Sequence, residues 1–157
     1  MKRSWTVGLL IALFISIFIY FSFDQITPGE IENAPDWVSL ENAMESASVD
    51  DRLILIDIYE VGCRFCRQMD REVYPAESVR AMLDRSFHPV KINGRAETPL
   101  IYRGSEMPSS EFASMLGVSA YPFTVIMDSE GQVISQRRGF MGTSDLNRFM
   151  SDALSQN

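Results

Sequence analysis

The chemistry of this chain is concentrated in its only two cysteines, Cys63 and Cys66, which are three positions apart. Two thiols at this spacing can form a disulfide with each other, or they can supply two thiolate ligands to a metal ion. They follow the apolar run 53–59 (LILIDIY), which predicts a short buried strand, and residues 60–62 leave room only for a tight turn. The dithiol is therefore expected at the start of a helix that follows the carboxyl end of a strand.

Redox chemistry is the favoured interpretation of the two cysteines. A structural disulfide across only two residues would close a very small loop, so loop entropy predicts little stabilisation from it. A closed zinc site needs four ligands, and the chain adds only one histidine, His88. A copper or zinc carrier that uses Cys63, Cys66 and His88 remains the non-enzymatic alternative. Redox chemistry itself requires no resident metal.

The two thiols are expected to differ in reactivity. Free amides and the positive end of the helix dipole stabilise a thiolate at Cys63, and Arg64 and Arg67 add positive charge, so a lowered pKa is predicted for this thiol. Alternatively, the two arginines are simply part of a solvated helix face. Cys66 lies one turn further into the helix and is the predicted resolving thiol.

Asp57 is an unusual residue for the middle of a buried strand. An unpaired buried carboxylate is costly, so it normally protonates or finds a partner. Beneath the dithiol it would be able to shuttle the proton of Cys66; the alternative is a plain aspartate exposed at the strand edge. Lys91, in the next predicted strand (87–92), is the candidate charge partner, although a surface lysine is the equal alternative.

Hydrophobic periodicity and turn residues predict an α/β fold with a mixed sheet and helices on both faces. Residues 95–110 show no period and are expected to form a long irregular loop. In chain order, the predicted elements are a helix capped by Asp36, strand 53–59, a helix from Cys63 that stops or kinks before Pro75, helix 77–85, strand 87–92, a short helix ended by Gly117, strands 123–127 and 133–137, and a last helix over 143–154.

The amino-terminal segment predicts a membrane anchor. Residues 5–23 carry no charge and follow Lys2 and Arg3. A helix of this length spans a hydrocarbon core of about 30 Å, and the two basic residues predict that the amino terminus stays cytoplasmic while the rest is exported. A cleaved secretory signal is the alternative, but its apolar region is normally shorter and ends in small residues.

The predicted organisation is an anchor over 1–23, a polar linker over 24–35 and one domain over 36–157. The formal charge of the whole chain is −7, and without Lys2 and Arg3 it is 12 minus 21, or −9. An acidic surface with no basic cluster argues against nucleic acid as a partner. In this orientation the domain lies in the periplasm, held at the inner membrane.

Several separate positions resemble the thioredoxin superfamily, from about residue 37 to the end of the chain. Asp57 stands six residues before the first cysteine, where thioredoxins place a buried carboxylate, and Lys91 stands where they carry a lysine near it. The pair Tyr121-Pro122 is similar to the loop that faces the dithiol, and Gly139 resembles the glycine before the last helix.

This resemblance implies a thioredoxin-like fold with a central mixed four-stranded sheet. It implies a cis peptide bond before Pro122 and a client groove formed by Tyr121, Arg64 and Phe65. It also implies that the Cys63–Cys66 disulfide is the redox group, with no further cofactor.

The departures from the common pattern narrow the resemblance. The usual Trp-Cys-Gly-Pro-Cys is replaced by residues 62–66 (GCRFC). The pattern Cys-x-x-Cys-x-x-Met with its following residues (63–73), together with the long segment 95–110, is more similar to exported proteins of the SoxW type and to the carboxy-terminal domain of DsbD. That similarity implies a reductase of client disulfides, recharged by a transmembrane thiol carrier of the DsbD or CcdA type. Disulfide oxidase and isomerase remain alternatives, because residues between the cysteines tune the reduction potential.

Overall fold

The computed structural model describes residues 11–19 and 31–156. The chain divides into two units, Met1–Glu30 and Ile31–Asn157. In the first unit, residues 11–19 form helix α1, and their side chains are exposed. The rest of the predicted anchor and the predicted linker up to residue 30 lie outside the described residues. Among the residues that are described, no helix is both long and apolar enough to cross a membrane.

The second unit alternates helices and strands. In chain order its elements are α2 (Leu40–Asp50), β1 (Leu53–Tyr59), α3 (Arg64–Gln68), a π-helical turn (Met69–Val73), α4 (Glu77–Ser86), β2 (Phe87–Asn93), β3 (Pro99–Tyr102), β4 (Ser105–Pro108), α5 (Ser109–Met115), β5 (Phe123–Met127), β6 (Val133–Arg138) and α6 (Thr143–Leu154).

A four-stranded mixed sheet with the order β2-β1-β5-β6 forms the centre of this unit. β1 and β2 are parallel, whereas β5 runs antiparallel to both β1 and β6. Because side chains alternate along a strand, Leu53 and Leu55 pack with α4 and α6, and Ile54 and Ile56 pack with α2 and α5 on the other face. The predicted mixed sheet with helices on both faces is confirmed.

The strand register places three polar residues in one row across the sheet. Asp57 on β1 is aligned with Lys91 on β2 and with Thr124 on β5. Residues aligned in this way point to the same face of a sheet. That face is the one covered by the helical segment that carries Cys66, because Met69 and Val73 of the same segment pack there with Leu55.

The helix that follows the dithiol ends where the sequence predicts, but it does so through a π-helical turn. The Tyr74 amide donates to the Met69 carbonyl at 2.9 Å, a bond between residues five apart. Pro75 follows directly. Because proline has no backbone N–H, it cannot donate the next hydrogen bond of the helix. The prediction of a stop or kink before Pro75 is thus confirmed.

The first predicted helix starts later than expected. Ser39 is its cap, and the Ser39 hydroxyl accepts a hydrogen bond from the Asn42 amide at 3.2 Å. The prediction of Asp36 as the cap was wrong because the preceding chain is extended: the Val38 amide donates to the Pro89 carbonyl at 3.0 Å and Val38 bridges to Val90. Sequence periodicity does not show this pairing with the edge of β2.

Residues 95–110 are more regular than the sequence predicts. β3 and β4 form an antiparallel hairpin with the two-residue turn Arg103-Gly104, both of positive φ. Such a turn is typical of tight hairpins. The Tyr102 hydroxyl ties the hairpin to the domain by donating to the Gly131 carbonyl at 2.8 Å. The prediction of an irregular loop was wrong because two strands of four residues are too short to show a clear alternation.

Candidate functional site

The two cysteines form a disulfide at the start of α3. Gly62, with φ at +89°, makes the turn from β1 in a backbone conformation that other residues rarely adopt. Cys63 is partly exposed, whereas Cys66 is only 2% exposed. The Cys66 amide donates to Cys63 Sγ at 3.1 Å. An amide donor thus faces the sulfur of the predicted nucleophile.

Asp57 lies buried on the face of the sheet that this helical segment covers, with 1% of its surface exposed. The alternative of an exposed edge aspartate is therefore wrong. Among the described residues, neither of its carboxylate oxygens has a hydrogen-bond partner. Burial raises its pKa to about 6, although the positive charge of Lys91 opposes this shift. A carboxyl group with this pKa can both accept and release a proton near neutral pH.

Lys91 contacts two carboxylates rather than one. Its Nζ lies 3.9 Å from Asp57 Oδ2, and it donates a hydrogen bond to Asp70 Oδ1 as well. The surface-lysine alternative does not hold, since the side chain is only 20% exposed. Asp70, on the π-helical turn, is a neighbour that sequence reasoning missed. Its position four residues after Cys66 was the available signal, since residues at that spacing share one face of a helix.

Two further polar groups adjoin Asp57 and were also missed. The hydroxyl groups of Tyr74 and Thr124 are buried and, within the described residues, unpaired. Tyr74 is near enough that burial and the Asp57 charge together raise its pKa well above its usual range. In the sequence, Tyr74 resembles an ordinary core aromatic, because nothing local shows which residue its hydroxyl approaches.

The Tyr121–Pro122 peptide bond is cis, as the resemblance implied. Phe123 pairs with Ile58 near the end of β1, so this bond lies at the same end of the sheet as the dithiol. The Tyr121 side chain is half-buried, and its hydroxyl donates to the Gly94 carbonyl at 3.0 Å. The Pro122 carbonyl accepts a hydrogen bond from the Gly139 amide at 2.8 Å.

Exposed apolar side chains lie next to the cysteines in sequence and space. Phe65 is 52% exposed, and its ring is 6.1 Å from that of Phe140, which is 40% exposed. Val61, two residues before Cys63, is 82% exposed. Arg64 is exposed beside them. We call Val61, Phe65 and Phe140 the apolar rim; Phe140 was not predicted, since it follows β6, far away in sequence.

His88 lies at the other end of the sheet from the cysteines. It is aligned with Ile54, and five residues of β1 at about 3.3 Å each separate that point from the end of the strand. His88 Nε2 lies 3.0 Å from Asp50 Oδ1. Burial opposes ionisation of Asp50, but hydrogen bonds to His88 and Arg52 outweigh it and lower its pKa to about 2. His88 therefore has a structural role and cannot complete a metal site with the cysteines.

Comparison with known proteins places the chain in a family. The family model of the thioredoxin-like domain matches residues 40–154, which is more than half of the chain. The protein belongs to the thioredoxin-like domain family. No curated protein sequence matches the chain.

Solved structures show the same fold at low sequence identity. DsbH oxidoreductase is 18% identical with a TM-score of 0.63, over 83% of this chain and 92% of that one. A thioredoxin from Thermus thermophilus is 16% identical with a TM-score of 0.60, over 75% and 85%. The DsbD carboxy-terminal domain from Neisseria meningitidis, in its oxidised form, is 16% identical with a TM-score of 0.56, over 73% and 92%. The fold, together with the Cys63–Cys66 disulfide, supports a thiol–disulfide oxidoreductase.

Proposed function

We propose that this protein reduces disulfides of exported client proteins through the Cys63/Cys66 dithiol. The observation that carries the proposal is the asymmetry of the pair. Cys63 is accessible and accepts an amide hydrogen bond, whereas Cys66 is buried behind it. One accessible nucleophile and one protected resolving thiol are what a two-step exchange requires.

In the first step, the Cys63 thiolate attacks one sulfur of a client disulfide. A mixed disulfide forms between Cys63 and the client, and the other client sulfur leaves as a thiolate. Asp57, in its ionised form, then takes up the proton of the Cys66 thiol. The Cys66 thiolate attacks Cys63 Sγ, so the internal disulfide forms and the second client sulfur is released. Two electrons pass from the dithiol to the client.

The apolar rim and the segment around Tyr121 are the proposed client groove. Arg64 and Phe65 follow the nucleophile directly, and Phe140 extends the exposed apolar surface. An extended client segment would place apolar side chains on this surface while its disulfide meets Cys63. The groove suits clients with apolar residues beside the attacked cysteine.

Location and recharging are further parts of the proposal. The uncharged run 5–23 after Lys2 and Arg3 supports an uncleaved anchor in the inner membrane, with the domain in the periplasm. In that oxidising compartment the internal disulfide needs an external dithiol to reduce it again. The departures from the common thioredoxin pattern support a transmembrane thiol carrier of the DsbD or CcdA type in this role.

The first experiment is to measure the reduction potential of the Cys63–Cys66 pair in the full-length protein, equilibrated against defined thiol buffers. A value near −270 mV is expected for a reductase, since thioredoxin itself lies at roughly that potential. A value near −120 mV, which is roughly that of DsbA, would instead indicate an oxidase.

The second experiment measures the reduction of a protein disulfide by cysteine variants. We expect Cys63→Ser to abolish reduction of a protein disulfide, and Cys66→Ser to trap the mixed disulfide with the client. Unchanged activity of the Cys63→Ser variant would refute the proposed mechanism.

A further inference from the structure

Two carboxylates share one lysine beside the dithiol, and a single cation cannot neutralise both. Lys91 is hydrogen-bonded to Asp70, and its Nζ is 3.9 Å from Asp57. The Asp70 side chain is 20% exposed, whereas Asp57 is fully enclosed. The charge of Lys91 is therefore matched mainly by Asp70, which accepts its hydrogen bond, and only in part by the more distant Asp57.

Asp70 is placed for this contact by the helix that carries the resolving cysteine. It follows Cys66 by four residues, which puts both on one face of the helix. A depression of about 420 Å³ beside the disulfide is lined by Cys63, Cys66, Asp70 and Lys91 among others. Asp70 and Lys91 thus line the depression with partly exposed side chains, whereas Asp57 is buried and is not one of its lining residues.

Aromatic rings also hold the lysine at this position. Its Nζ lies 5.2 Å from the ring centroid of Trp37 and 5.2 Å from that of Tyr59. A cation between two rings is attracted to both faces and loses freedom to move. With Asp70 as a third contact, the ammonium group is kept beside Asp57 without forming a hydrogen bond to it.

We propose that Asp70 is a positioning residue of this site, which retains Lys91 in the depression beside the dithiol and so leaves the Asp57 carboxylate only partly compensated. The inference rests on the proposed function, because the consequence concerns the base that serves Cys66. A partly compensated Asp57 accepts a proton more readily than one fully paired with Lys91, so the group can take up and release a proton with each cycle. Without Asp70, the full charge of Lys91 would act on Asp57 and hold it ionised.

The groups that face Asp57 come from three neighbouring segments. Lys91 approaches from β2, Asp70 and Tyr74 from the π-helical turn and the residue after it, and Thr124 from β5. Of these, Asp70 and Lys91 carry charges of opposite sign. Their removal therefore has opposite effects on the protonation of Asp57, and a general loosening of the structure would not produce opposite effects.

The test is the titration of the Asp57 carboxyl group in the oxidised full-length protein, followed by carbon NMR and assigned with Asp57→Asn. In Asp70→Asn the midpoint is expected to fall by about one pH unit, because Lys91 loses its hydrogen-bonded carboxylate partner and its full charge acts on Asp57. In Lys91→Gln it is expected to rise, and Asp70→Glu should stay close to the wild type. If Asp70→Asn does not fold, Asp70→Ser replaces it, and the same fall in the Asp57 midpoint is expected.

Glu72→Gln is the matched control, since Glu72 lies on the same turn and is hydrogen-bonded to Gln68 rather than to Lys91. An unchanged or raised midpoint in Asp70→Asn, or an equal shift in Glu72→Gln, would overturn the inference. The titration needs no client, so its result is independent of whether the protein reduces protein disulfides. If it does, the pH profile of mixed-disulfide resolution should move down by the same amount in Asp70→Asn.

Discussion

Single residues at this site have electrostatic properties set by burial. Asp57 has no hydrogen bond to its carboxylate among the described residues, and burial raises its pKa to about 6 from 3.8. The folded protein therefore holds a proton between about pH 4 and pH 6 that the unfolded chain has lost. It follows that the free energy of unfolding falls as the pH rises through this window.

Asp57→Asn is expected to remove this dependence and to stabilise the oxidised protein at pH 7. A pKa difference of roughly two units corresponds to about 3 kcal/mol, and the buried amide recovers somewhat less than this, so a gain of about 2 kcal/mol is expected. Urea unfolding at pH 4, 5, 6 and 7 measures it. Asp152→Asn, an exposed site on α6, is the control. A less stable Asp57→Asn at pH 7 would contradict the account.

At the scale of elements, the apolar rim is assembled from two segments distant in sequence. Phe65 belongs to α3, whereas Phe140 lies in the loop between β6 and α6. The loop is held at this end of the sheet because the Gly139 amide donates to the Pro122 carbonyl. The rim, the cis bond and the dithiol are therefore adjacent through strand pairing rather than through local sequence.

Phe65→Ala and Phe140→Ala should each lower kcat/KM for a protein disulfide by up to about tenfold, since each removes part of an apolar contact and about 1.4 kcal/mol corresponds to a factor of ten. The rate with a small aromatic disulfide should change little, because such a substrate reaches only Cys63. Val133→Ala is the control: Val133 is 44% exposed but lies at the far end of the sheet, aligned with Met127. Equal losses with both substrates would argue against a role in client binding.

At the scale of the whole molecule, the two units have contrasting character. In α1 the large apolar side chains are exposed, with Phe14 at 70% and Phe18 at 65%. Exposed apolar surface of this kind is unfavourable in water and is typical of segments that meet lipid or protein. The rest of the chain is acidic, which suits a soluble domain.

The proposed anchor predicts that the full-length protein stays in the membrane pellet after an alkaline wash, at the mass of the intact chain. Replacing both Phe14 and Phe18 by Asp should release it, since each buried aspartate costs about 3 kcal/mol at the centre of a bilayer. Replacing both by Leu is the matched control and should not. A soluble wild-type protein of lower mass would show that the segment is a cleaved signal.

Much of this protein follows from local sequence. The strand before the dithiol, the helix after it and the stop at Pro75 depend on residues adjacent in the chain, so periodicity and turn chemistry predict them. The thioredoxin-like resemblance added the cis bond at Pro122 and the buried position of Asp57.

The tertiary structure alone settled which groups meet. The cluster in which two carboxylates share one lysine brings together Asp57 of β1, Lys91 of β2 and Asp70 of the π-helical turn. The apolar rim needs a loop that follows β6, and the β3–β4 hairpin needs pairing between strands too short to show a pattern. These contacts depend on strand register and helix packing, which join residues far apart in the chain, so hydrophobic periodicity and turn residues do not predict them.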